Sequence, residues 1–233
     1  MVNVNKNITH TVAIDHPEIN DNRNYNYLAF PVEERPEYSR IVSMIQAKSR
    51  VIDLGCGNGS LLQRLIKEKE VKAYGIELSE SGVTICKEKG LQVEQGYIDE
   101  RLPFQENAFD YAICNVTIQM VRYPEVLLTE MKRIAKYQII SFPNFAFYKN
   151  RIEMIIKGRM PKKMLFGYSW YNTGHIHQLS IKDMIELIQT IGGLKIIKID
   201  VDETGKKLKN KIIQLFPNLF CVVPIFFLEK IEK

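Results

Sequence analysis

The sequence predicts an α/β fold: a mainly parallel seven-stranded sheet with helices on both faces and a closing antiparallel hairpin. Three observations carry this prediction. Short β-branched and aromatic runs alternate with segments of helical period along most of the chain. A glycine-rich turn joins the first such run to the helix after it. The last two strand candidates have no helical segment of comparable quality between them, which suits an antiparallel pair. Strands alternating with helices of this length form βαβ units, and therefore parallel pairing.

Taken in order, residues 1–35 are a polar, Asn-rich extension without the apolar run of a signal peptide or anchor. Residues 36–233 form the folded domain, opening on a helix at about 36–47 that carries Tyr38, Ile41, Val42 and Ile45 at helical spacing. Strands are expected at 50–54, 72–76, 91–95, 109–114, 137–142, 194–200 and 221–229. Helices are expected at 60–68, 81–89, 123–134 and 181–191. Residues 144–180 break the alternation. They hold the single tryptophan, Trp170, with Tyr148, Tyr168, Tyr171, His175 and His177, and read as a lid-like insertion after a strand's C-terminal end. Its aromatic group suits either a hydrophobic lid core or stacking on a sugar or aromatic acceptor.

Composition narrows the classes. Hydrophobic content of 45% and charged content of 25% are those of an ordinary globular chain. Cys56, Cys86, Cys114 and Cys221 are scattered without a CxxC pair, so neither a metal site nor a disulfide framework is expected, and a reducing, cytoplasmic setting is. The apolar stretch 212–228 is interrupted by Pro217, Asn218 and Pro224 and is shorter than the roughly 20 residues of a membrane helix. It reads as a buried hairpin at a sheet edge, and no membrane partner is expected. The net charge of +5, with Lys195, Lys198, Lys206, Lys207, Lys209 and Lys211 near the C-terminus, reads as a solvated face; nucleic acid is not an expected partner. The chain is expected to be a monomer or a homodimer.

The chemistry concentrates in Val51-Ile52-Asp53-Leu54-Gly55-Cys56-Gly57-Asn58-Gly59. Glycines let the backbone reverse and let a ligand approach closely. The helix that follows leaves backbone N–H groups free at its start. A dinucleotide loop needs G-x-G-x-x-G for its pyrophosphate. Here the spacing is G-x-G-x-G, and Asp53 ahead of it repels a pyrophosphate and suits a cation. A ligand bearing an ammonium and a sulfonium fits, which describes S-adenosylmethionine; a purely structural turn is the alternative. Tyr74-Gly75-Ile76-Glu77-Leu78 supplies a second signal, because in Rossmann-like folds an acid ending the second strand accepts hydrogen bonds from ribose hydroxyls. Gly96-Tyr97-Ile98-Asp99 follows the third strand, where the adenine would lie, and Asn115 follows the fourth, near the methionine portion.

These stretches resemble the class I S-adenosylmethionine-dependent methyltransferases, from about Pro36 to Lys230, and within them the methionine biosynthesis protein W (MetW) family. Ser141-Phe142-Pro143-Asn144-Phe145, Lys157-Gly158-Arg159-Met160-Pro161, Tyr168-Ser169-Trp170-Tyr171-Asn172-Thr173 and Ile176-His177 carry the narrower resemblance. It implies a Rossmann-like class I methyltransferase fold with S-adenosyl-L-methionine as cofactor and S-adenosyl-L-homocysteine as product. The cofactor-binding set is Asp53, Gly55, Cys56, Gly57, Gly59, Glu77, Leu78, Tyr97, Ile98 and Asn115. Many relatives carry Asp where Tyr97 stands, so either Asp99 takes over the adenine amino contact or Tyr97 packs on the ring.

Methyl transfer is an in-line displacement in which positioning supplies much of the rate, and a base is needed only for an acceptor that must lose a proton. His175 and His177 are the base candidates, with His175 preferred; the alternative is that each orders the insertion through local hydrogen bonds. The loop at Asn115-Val116-Thr117-Ile118 lacks the NPPY-type and Pro-Cys patterns of base-modifying enzymes. Three functions follow. The first is a methyltransferase acting on a small molecule or a sugar. The second, implied by the resemblance, is a non-catalytic partner or sensor in methionine biosynthesis that supports a homoserine acyltransferase. The third is an RNA methyltransferase using the lysine-rich C-terminal region.

Overall fold

The computed structural model describes Tyr27 and residues 34–161, 170, 173–201 and 207–231. The expected 1–35 extension and the 144–180 insertion therefore lie partly outside the described residues, with Tyr168 and Tyr171 of the insertion, as does Lys206.

The chain runs α1 (Tyr38–Met44), β1 (Arg50–Leu54), α2 (Ser60–Lys69), β2 (Lys72–Glu77), α3 (Glu80–Glu88), β3 (Val93–Gln95), β4 (Phe109–Asn115), a 3-10 turn (Ile118–Met120), α4 (Pro124–Ile134), β5 (Ala135–Ser141), α5 (Tyr148–Lys157), α6 (Ile181–Ile191), β6 (Leu194–Asp200), α7 (Lys207–Leu215), α8 (Pro217–Phe220) and β7 (Ile225–Lys230). The sheet order is β3-β2-β1-β4-β5-β7-β6. The first five strands pair in parallel. Strand β7 inserts antiparallel between β5 and β6. The Rossmann-like class I methyltransferase architecture expected from the sequence is the one observed, with the β6–β7 pair closing one side of the sheet.

Successive residues of the central strands feed opposite faces, as the pleat demands. Ile52, Ala112 and Cys114 join the layer containing Leu127, Met131, Met184 and Ile188 of α4 and α6. Val51, Tyr111 and Ile113 join Ile41 of α1, Ile45 just after it, and Leu61 and Leu65 of α2. The central strands β1 and β4 carry buried runs because both faces are covered.

The connection between β6 and β7 differs from the expectation. It carries α7 and α8, so the antiparallel pair is not joined by a simple turn. Ile213 of α7 meets the core, while Ile212 and Leu215 are exposed; apolar residues interspersed with lysines hide the period in the sequence. Strand β7 begins at Ile225 and not at Cys221, because Pro224 has no N–H for the ladder. The insertion contains α5, which was not expected.

Candidate functional site

The glycine loop leaves the carboxyl end of β1, at the centre of the sheet, where open α/β folds bind ligands. Gly55 (φ 82°) and Gly59 (φ 73°) take left-handed conformations. A Cβ on Gly55 would lie 2.5 Å from Thr117 Cγ2, and one on Gly59 would lie 2.3 Å from Leu91 Cδ1. The loop is thus pressed against the β4 exit on one side and the α3 layer on the other. The N–H groups of Gly55 and Cys56 donate to Ile76 O at 2.8 and 3.2 Å, tying the loop to β2. The Cys56 side chain packs with Leu62, Val83 and Cys86, so Cys56 faces the loop through its backbone. Asn58 Oδ1 accepts from Ser60 N at 3.2 Å at the start of α2.

Asp53 is buried at the foot of this loop, and among the described residues no donor reaches its Oδ1. Burial, with the negative charge of Glu77, raises its carboxyl to about 7; the Arg35 guanidinium acts in the opposite sense. An unpaired buried carboxyl is costly unless a cation or donor completes it. Beside it, Tyr38 is pushed to about 12, first by burial. Glu77, also buried, accepts from Gly57 N at 2.7 Å and from Ser79 N at 2.9 Å. Those backbone donors fix the carboxylate at the lip of the loop. A carboxylate offers about four acceptor positions.

The β4 exit forms the facing wall. Asn115 Oδ1 accepts from Ser141 Oγ at 2.5 Å, and its Nδ2 donates to buried Glu37 Oε1 at 3.4 Å. Val116 has φ 52°, a rare conformation for a β-branched residue, held by its N–H donating to Ser141 Oγ and Ser141 O, each at 3.0 Å. Sequence reasoning missed Arg35, Glu37, Tyr38 and Ser141 as neighbours of the loop. Their signal was slight: a charged pair and a tyrosine opening α1, and a serine ending β5.

On the β3 side, Leu78 O accepts from Gln95 Nε2 at 3.1 Å, and Ile98 is buried. Tyr97 is exposed, with the Arg122 guanidinium 5.4 Å from its ring centre. Asp99 Oδ2 accepts from Arg122 N at 2.7 Å and Tyr123 N at 3.2 Å, which commits it to the approach to α4.

The two histidines are far from the loop residues along the chain. His175 lies in a local turn, with its N–H donating to Thr173 Oγ1 at 3.1 Å and its carbonyl accepting from Gln178 Nε2 at 3.0 Å. His177 N donates to Gln119 O at 3.0 Å, just after the β4 exit. Its Nε2 is buried without a partner among the described residues. His177 lines a groove of about 400 Å³ with Ile118, Pro124, Ile176, Leu179 and Met184, between the 3-10 turn and α6. Trp170 is exposed, and Tyr148 packs on Phe147 and Phe220. Among the described residues no group of acidic, histidine or cysteine side chains could hold a metal, and no helix is long and apolar enough to cross a membrane.

Fold and loop together define a class I S-adenosylmethionine-dependent methyltransferase fold. Solved structures agree: an S-adenosylmethionine-dependent methyltransferase from Mesorhizobium loti superposes with TM-score 0.61 at 16% identity, covering 83% of this chain and 97% of that one. A putative methyltransferase of Haloferax volcanii, in complex with the Trm112 activator, gives 0.60 at 14%, covering 84% and 90%. The chain belongs to the family described as methionine biosynthesis protein MetW, whose profile matches residues 35–228. It is 35% identical over 158 residues to the bifunctional methionine biosynthesis protein MetXA/MetW of Rhodopirellula baltica, a match covering 64% of this chain and 25% of that protein. A trans-aconitate 2-methyltransferase of Mycolicibacterium gilvum is 29% identical over 108 residues, covering 44% of this chain and 41% of that one.

Proposed function

We propose that this protein binds S-adenosylmethionine at the glycine loop and transfers its methyl group to a small-molecule or sugar acceptor in the cytoplasm. The carrying observation is Asp53: a buried carboxyl with an unpaired oxygen, at the foot of a loop too close-packed for side chains. A net-cationic ligand completes that carboxyl, and the flanking residues match the rest of the molecule. Glu77 takes the ribose hydroxyls. Leu78 and Ile98 line the adenine pocket. Tyr97 takes the adenine face, since Asp99 is engaged with the Arg122 and Tyr123 N–H groups. Arg35, close enough to Asp53 to oppose its raised titration, is the counter-charge for the cofactor's carboxylate. Asn115 and the strained Val116 turn shape the wall beside the methionine portion.

When bound, the cofactor supplies an electrophilic methyl on a sulfonium. The chain's own task is to orient the acceptor and exclude water. The groove beside the β4 exit offers a place for the acceptor. His177 replaces His175 as the base of choice, because its buried Nε2 has no partner among the described residues and could take a hydroxyl proton.

The MetXA/MetW relative supports the second reading, in which the domain serves an acyltransferase partner and cofactor binding reports methionine supply; its name joins both functions in one protein. No comparable observation favours RNA.

Calorimetry with S-adenosylmethionine and S-adenosylhomocysteine tests the shared core of both readings. Binding by the unaltered chain is expected. Gly57→Asp should abolish it, because the new carboxylate would stand beside Glu77. Absence of binding by the unaltered chain refutes the proposal.

A further inference from the structure

Tyr27 lies ahead of residue 35, where the family match begins, yet it is seated on the glycine loop. A Cβ on Gly57 would lie 3.1 Å from Tyr27 Oη and 3.3 Å from its Cε1 and Cζ. A Cβ on Gly82, at the first turn of α3, would lie 3.2 Å from Tyr27 Cδ2. Cε1 and Cδ2 are opposite corners of the ring, so it spans the gap between the loop and α3. The backbone anchors it there: Tyr27 N donates to Ser81 Oγ at 3.1 Å, and Ser81 Oγ shares a hydrogen bond with Ser79 Oγ at 2.9 Å. Two side-chain-free residues thus make a niche for one aromatic ring.

The niche adjoins the subsite assigned to ribose. Gly57 N donates to Glu77 Oε2, and a Cβ on Gly82 would also meet Glu77 Cγ at 2.9 Å. The ring and the Glu77 side chain therefore flank the same glycine. Glu77 can offer acceptors to hydroxyl groups, but it cannot exclude water from them. An aromatic face beside it lowers the local dielectric and strengthens those hydrogen bonds.

We infer that Tyr27 is a cofactor-positioning residue: its ring walls the ribose side of the S-adenosylmethionine site and slows the cofactor's departure. This rests on the cofactor reading above. It gives the stretch before the family domain a functional part.

The test compares the full-length unaltered chain with Tyr27→Ala and Tyr27→Phe, using S-adenosylhomocysteine as probe. Calorimetry gives affinity, stopped-flow gives the dissociation rate, and the thermal midpoint of the ligand-free protein controls for folding. Tyr27→Ala is expected to bind about tenfold more weakly, mainly through faster dissociation, with the ligand-free midpoint nearly unchanged. Tyr27→Phe is expected to stay within about threefold of the unaltered chain, because the ring forms the wall. A merely structural tyrosine would move the midpoint and leave the dissociation rate alone. Should the alanine variant fail to fold, protection of Tyr27 in the unaltered protein from tetranitromethane nitration by the bound probe decides the matter. Alanine affinity within twofold of, or tighter than, the unaltered value overturns the inference, as does a phenylalanine variant as weak as the alanine one or a lack of protection. If the unaltered chain itself fails to bind the probe, the cofactor reading falls and takes this inference with it; if it binds and only Tyr27 proves indifferent, the cofactor reading stands.

Discussion

In the proposed function, Asp53 couples proton and ligand. Its carboxyl is raised to about 7 by burial and then by Glu77, against an unfolded value near 3.9. The sign is that of a raised acid: the folded ligand-free chain holds the proton more tightly than the unfolded chain, so this group's stabilising share is complete below about pH 4 and disappears as pH rises through 7. A cationic ligand has the opposite preference and binds the ionised form. Cofactor affinity should therefore fall about eightfold between pH 7.5 and 6, the ratio of ionised fractions for a group near 7. Asp53→Asn should bind more weakly and lose most of this dependence. Calorimetry at the two pH values decides it; an unaltered chain with flat affinity removes the electrostatic role. The glycines and acids of this loop were legible in the sequence because their spacing is local. Arg35, Glu37 and Ser141 were not, because they reach the loop only through α1 and β5.

At the scale of elements, legibility followed packing. Strands β1 and β6 have the bounds their sequences suggest, because short runs rich in Val, Ile and Leu between turn signals leave little choice. Helix α5 was overlooked although Ile152, Ile155 and Ile156 are spaced helically, since the tyrosines and glycines around them read as an irregular lid. Its apolar residues face outward, so burial offers no second cue. Helix α4 illustrates the opposite case. Glu130, buried on α4, accepts from Leu102 N at 2.8 Å and pairs with Arg133 Nη2 at 2.5 Å, while Arg133 donates to Phe104 O at 2.6 Å and Leu102 O at 3.0 Å. This clasp fixes the long β3–β4 connection on the helix. Arg133 holds the Glu130 carboxyl below its usual range, so its contribution is present at neutral pH and disappears as pH falls through that lowered value. Glu130→Ala leaves the Leu102 N–H and the guanidinium without their acceptor, and should cost about 2–3 kcal/mol. Urea unfolding would show it as a lower midpoint at unchanged slope, with S-adenosylhomocysteine affinity intact. A loss below about 0.5 kcal/mol would mean that water replaces the carboxylate without penalty.

For the molecule as a whole, the site is a convergence of the ends of β1, β2 and β4 with the segment that opens α1, and a ligand bridging them must stabilise the assembled state. The groove at His177 was illegible in the sequence because it joins the β4 exit to residues some sixty positions later in the chain, and no local pattern records that meeting. Linkage makes the convergence measurable. A ligand at a hundredfold excess over its Kd adds about 2.7 kcal/mol to the stability of a chain that binds it only when folded. In a protein of 233 residues each kcal/mol moves the midpoint by about 2–4 °C, so S-adenosylhomocysteine should raise it by about 5–10 °C. The choice of ligand discriminates between loop chemistries. NAD places a pyrophosphate where Asp53 and Glu77 concentrate negative charge, and should leave the midpoint within about 1 °C. Gly57→Asp should abolish the shift with S-adenosylhomocysteine as well. An equal response to both ligands would mean that the loop selects for adenosine alone, and that the paired acids do not set its specificity.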